Sequence, residues 1–205
     1  GGKTIDQFND SPSYNAYRAK GGKLELRDWR RDNINGFVRT AYGAIKSNKS
    51  YVDFGISPFG IWRPGSPPTV KAGLDAYDDI CADSRLWFTQ GWLDYLSPQL
   101  YWRVDSDQNY ASLYQWWSGE NKKGRHLFPG IASSRIMSSD DHGRPAGETV
   151  RQIEITRQAP SPAGAGHLHW SIEAIKNDRG GLRSKLREVY AENAIPPASP
   201  WLGSS

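Results

Sequence analysis

Cysteine is almost absent. Cys81 is the only one, so no internal disulfide can form, and between Ile80 and Ala82 in a helical pattern it reads as a packed small side chain. Long apolar runs are missing too. Hydrophobic residues make up 37% of the 205 and fall in short stretches, far from the roughly 20 consecutive apolar residues of a membrane span. No positively charged start leads into an apolar run, so no signal peptide is written here, and the opening GGKTIDQF reads as the interior of a longer protein. Basic runs are lacking: 26 Lys and Arg lie dispersed among 22 acids, a net +4 that argues against nucleic acid and suits an anionic polysaccharide. There is no Gly-rich phosphate loop, nucleophile elbow or Cys–His pairing. The HLH phrase at His167–His169 puts two imidazoles on one strand face, but no third ligand is recognisable, so neither a metal nor a cofactor is expected.

What is abundant is large aromatics. Nine Trp accompany 10 Tyr, more Trp than a core of this size requires, and flat rings suit the apolar faces of sugars. Two stretches concentrate them. Leu93–Trp102, LDYLSPQLYW, alternates like a strand and ends in Gln99, Tyr101 and Trp102; Val52–Arg63, VDFGISPFGIWR, ends in Trp62 and Arg63. Apolar strands that run into polar and aromatic residues at their C-terminal ends are what a parallel α/β sheet presents to a ligand.

Periodicity orders the rest. Residues 1–27 read as a loop leading in, followed by a helix from Trp29 to about Lys46 with Asp28 as its cap. Strands are predicted at 51–58, 93–102, 126–134 (interrupted by Pro129 and Gly130) and 166–171. Helices are predicted at 74–90, from an Asp107 cap through Trp117, at 148–158 and at 182–191, and residues 196–205 form a Pro-rich tail. Strand, loop and helix recur four times with the long loops after the strands, which argues for parallel strands with right-handed crossovers. A complete eightfold barrel needs about 250 residues, so the expected fold is a single α/β domain, the second half of a (β/α)8 TIM barrel, with barrel units over 28–195. An isolated half would expose sheet edges and could self-associate through them.

The phrases DWRRDNINGFV (28–38), FGISPFGIWRPG (54–65), GLDAYDDICADSRLW (73–87), GWLDYLSPQLYW (91–102) and the pair Pro196–Pro197 resemble the glycosyl hydrolase-like family ten, barrel proteins of bacterial envelopes. The resemblance implies a periplasmic or secreted glycosidase, with a lipid anchor as one option, acting on cell-wall glycan, with peptidoglycan strands lacking stem peptides as the substrate. The family's HFDDY-like strand end, which would supply the first carboxylates to suspect, has no counterpart in this chain.

Glycoside hydrolysis usually takes two carboxyl groups. Asp78 and Asp79 fall in the first turn of the helix after the first strand, where they also serve as favourable charge at a helix N-terminus. Asp79 is the carboxylate chosen as an acid or orienting group, while Glu173, past the fourth strand, also reads as a solvated loop residue. Trp62, Arg63, Gln99, Tyr101, Trp102 and Trp170 are the residues chosen to hold glycan, by ring stacking, a planar guanidinium and an amide. Two other readings stay open: a glycan-binding barrel without catalysis, and a fragment without autonomous activity.

Overall fold

The computed structural model describes residues 8–159 and 166–202. Its strands are short and all parallel. β1 (Gly55–Ile56) pairs with β2 (Tyr95–Leu96), and β2 with β3 (His126–Leu127). Pro129 interrupts the third stretch, so β4 (Gly130–Ile131) follows β3 after a break and pairs with β5 (Leu168–His169). Isolated bridges Phe59↔Gln99 and Gln99↔Gly130 join the two ladders. The strand stretches therefore lie side by side in chain order, as expected for repeated strand–helix units.

Alternation along the strands separates two faces. Leu96, Leu127 and Ile131 are almost fully buried and meet the helices, forming a core with Phe88, Leu113, Trp117, Ile153, Leu182 and Leu186. Along the helix layer, α2 (Leu26–Asn48) packs on α4 (Ser84–Gln90), α4 on α5 (Tyr110–Glu120), α5 on α6 (Ala146–Gln158), and α6 on α8 (Leu182–Val189). On the opposite face Phe59, Leu168 and Trp170 are exposed.

Several elements differ from the sequence expectation. The lead-in holds a helix, α1 (Ser11–Ala19), that buries no residue of its own and so leaves no apolar pattern. It is held instead by Tyr14 and Tyr17 packed on Trp29 and by the Arg30–Asp10 pair, with Nε–Oδ2 at 2.7 Å and Nη2–Oδ1 at 2.8 Å. That pair holds the Asp10 carboxyl below the usual carboxylate range, chiefly through the hydrogen bonds from Arg30. Glu25, not Asp28, is the N-cap residue of α2, and Asn109, not Asp107, caps α5 by accepting from the Ser112 amide at 2.9 Å. The helix predicted over 74–90 is two: α3 (Ala76–Asp79) and α4 separate at Ile80–Asp83, where Cys81 takes a positive φ of 55° and Asp83 Oδ1 accepts from the Leu86 amide. A short α7 (Ile172–Lys176) follows β5. In the tail, a 3₁₀ turn at Pro200–Leu202 brings the Trp201 indole N–H to the buried Asp94, donating at 2.8 Å to Oδ1.

Candidate functional site at the strand ends

The two bridges and the β4–β5 register align Phe59, Gln99, Gly130 and Leu168 in one row across the sheet, near the C-terminal ends of the strands. Phe59 is 48% and Leu168 46% exposed, so the row is an open floor. Gln99 donates from Nε2 to the Ser57 carbonyl at 3.2 Å, which fixes its amide on the floor. Gly130 makes room for a ring: a Cβ there would lie 3.2 Å from Tyr101 Cε1. Tyr101 thus leans over the row, and its hydroxyl makes no hydrogen bond among the described residues. Burial pushes that hydroxyl's pKa up, and the nearby Arg135 partly opposes the rise. One residue past the ladder on β5, Trp170 is 62% exposed and continues the aromatic surface.

Trp102 faces the neighbouring cavity. This space, about 250 Å³, is lined by Phe59 and Ile61 from the first strand end, by Ala72–Leu74 from the long loop, and by Trp102 and Gln108. Phe59 belongs to both floor and cavity, so Gln99, Tyr101 and Trp102 border one continuous surface.

Trp62 and Arg63 are carried elsewhere. Beyond the buried Ile61 the chain turns, and Trp62 Nε1 donates to Asp83 Oδ1 at 3.1 Å while its ring stacks on Trp116 at 6.1 Å. Arg63 donates from Nε to Asp75 Oδ2 at 3.0 Å and lies over the Tyr77 ring at 4.6 Å. Both line a separate open groove of about 460 Å³ with Tyr77, Arg85 and Glu120. Asp79 is also engaged: its Oδ2 accepts from the Asp75 amide at 2.8 Å, while Asp75 Oδ1 accepts from the Asp78 amide at 3.1 Å, a reciprocal cap on α3. Asp78 receives Arg27 at 2.6 Å. Glu173 is exposed and 3.8 Å from Arg179.

Sequence reasoning missed the support under Tyr101 and Trp102. The Val104 amide donates to Glu148 Oε1 at 2.7 Å. Gln152 Nε2 donates both to the Trp102 carbonyl at 2.9 Å and to Glu148 at 3.0 Å. Arg144 Nη2 donates to the Tyr101 carbonyl at 2.9 Å. All three side chains are buried, and all come from α6 or the turn before it. Nothing in the sequence marked them: Glu148 and Gln152 read as ordinary polar helix residues, and Arg144 falls in the polar stretch before the helix.

His167 and His169 do share one face, as the HLH spacing implies. Both ring Nε2 atoms meet the Tyr190 hydroxyl, and His169 Nδ1 meets Ser133 Oγ at 2.8 Å. Burial lowers both histidines, His167 to about 4, and raises Tyr190 to about 12. Among the described residues no group of His, Cys, Asp or Glu is gathered as for a metal, and no helix is long and apolar enough to cross a membrane.

A glycosyl hydrolase-like 10 family model matches residues 3–144, a span that includes both aromatic strand ends. The chain belongs to this family. It is 37% identical over 207 aligned residues to the glycosyl hydrolase YngK of Bacillus subtilis (strain 168), covering 97% of this chain and 40% of that protein. It is 38% identical over 136 residues to the glycosyl hydrolase DigH of Escherichia coli (strain K12), covering 63% of this chain and 30% of that relative. The chain therefore spans less than half the length of either relative.

Proposed function

We propose that this chain is the C-terminal half of a (β/α)8 barrel glycoside hydrolase that acts on bacterial cell-wall glycan, with peptidoglycan strands lacking stem peptides as the substrate. The observation that carries the reading is the open row of Phe59, Gln99 and Gly130 with Tyr101 leaning over it, at the C-terminal ends of parallel strands. That is where barrel enzymes bind their substrates. Family membership supports glycosidase chemistry. The exposed rings of Phe59 and Trp170 fit sugar faces, and the Gln99 amide suits hydroxyl groups. In this reading Trp62 and Arg63 hold glycan further from the centre, along their own groove. Asp79 acts as an orienting carboxylate through Asp75 and Arg63, and the principal acid and nucleophile or base come from the rest of the full-length protein. The substrate lies outside the cytoplasm, so the protein is secreted or periplasmic, with a lipid anchor as one means of retention.

The test is incubation of the full-length protein with purified, peptide-free glycan strands and measurement of new reducing ends. Release is expected. Replacing Trp102 by Ala should weaken glycan binding roughly tenfold, from loss of about 1.5 kcal/mol of ring contact. A second reading, glycan binding without cleavage, is favoured by the engagement of Asp75, Asp78 and Asp79 in caps and ion pairs. Retention on glycan strands with no new reducing ends would select it.

A further inference from the structure

The cavity beside Trp102 has a chemistry of its own. Its walls are the hydrocarbon of Phe59, Ile61, Ala72, Leu74 and Trp102, and its volume is about 250 Å³. That is below the roughly 300–1,000 Å³ of pockets enclosing whole drug-sized ligands, so it suits a substituent or a single ring rather than a glycan chain. One polar side chain, Gln108, enters the lining. Its Nε2 is committed, donating to the Lys71 carbonyl at 3.0 Å, which orients the amide and leaves Oε1 as the acceptor. Oε1 accepts no hydrogen bond among the described residues.

A small apolar group carrying one N–H donor matches these walls. We infer that the cavity is an acyl-amide pocket that takes the 2-acetamido group of one sugar residue, methyl against Phe59, Leu74 and Trp102 and N–H towards Gln108 Oε1. The inference rests on the glycan reading of the floor, because Phe59, shared by both, sets the pocket beside a chain lying across Gln99. A free amine fits poorly: an ammonium would be stripped of water against hydrocarbon with one neutral acceptor. A hydroxyl fits less well than an acetamido group, since it brings no methyl to bury.

Three glycans of one backbone geometry separate these cases. Calorimetry on the full-length protein would compare a hexamer of β-1,4-linked N-acetylglucosamine, the same hexamer with its acetyl groups removed, and the hexamer of β-1,4-linked glucose. The acetylated hexamer should bind about tenfold more tightly than either other form, the effect of one buried methyl and one hydrogen bond. Gly73→Trp should narrow that ratio towards one. Gly73 lines the pocket, its backbone is not left-handed, and a Cβ there meets nothing within 4 Å, so the fold should accept the ring. Gln108→Leu is the second variant, and thermal melting of each reports whether the fold is kept. Equal binding of the three hexamers by the wild type would overturn the pocket and leave glycan binding standing. A ratio unchanged in a variant that melts like the wild type would overturn it as well. Binding of none of the three would remove the glycan reading itself, and the pocket with it.

Discussion

A methyl group on Gly60 would sit 2.3 Å from the Gln99 carbonyl oxygen. The first two strand ends approach so closely there that no side chain fits, and the Trp117 indole uses the Gly60 carbonyl as acceptor at 2.8 Å. Gly60→Ala should therefore force β1 away from β2, costing about 1–3 kcal/mol as overpacked sites do, with a matching fall in the thermal midpoint. At the same scale, burial favours the neutral forms of His167 and His169. Their folded pKa values lie below those of the unfolded chain, so the unfolded state binds more protons as pH falls from about 6.5 towards 4. Stability should decline across that window. His167→Gln should flatten the decline, measured as thermal midpoint against pH. Asp79→Ala should cost about 1 kcal/mol through loss of the cap on α3, read by denaturant titration.

Among the elements, the segment from Arg144 to Gln152 supports the residues that present the aromatic surface. Glu148→Ala would leave the Val104 amide without its buried acceptor and Gln152 without its neighbour, a loss of about 1–3 kcal/mol. Glu148→Gln keeps an acceptor and should recover most of it. Comparing the two by chemical denaturation, with Trp fluorescence as the probe, separates a lost hydrogen bond from lost charge. None of this support could be read from the sequence, because Glu148 and Gln152 look like ordinary polar helix residues until the loop they grip is known. The parallel strands were legible, since each is a short apolar run between turn residues and followed by a helical period. The split at Cys81 was not: a residue in left-handed conformation inside a helical apolar pattern leaves that pattern intact. Nor could the sequence say where Trp62 turns after leaving its strand. Adjacent helix positions point different ways, and of Trp116 and Trp117 the second is buried under Gly60 while the first packs half-buried against Trp62.

For the molecule as a whole, the sheet face with Phe59, Leu168 and Trp170 is uncovered by any described element. Produced alone, this 205-residue stretch should bind a hydrophobic dye or associate with itself, whereas a chain of the relatives' full length should do neither. Light scattering with dye fluorescence makes the comparison. The opposite end of the sheet is tied by one carboxylate. Asp94, fully buried, accepts from the Phe54 amide at 2.7 Å, the Tyr42 hydroxyl at 3.3 Å and the Trp201 indole, and pairs with Lys46. These partners come from α2, the start of the first strand and the last turn of the described chain, so one buried carboxylate gathers three segments distant in sequence. The proton on the Phe54 nitrogen should accordingly trade with heavy water only when the entire body opens, at a rate that reports global rather than local unfolding, and a shortened chain lacking Trp201 should trade it far sooner.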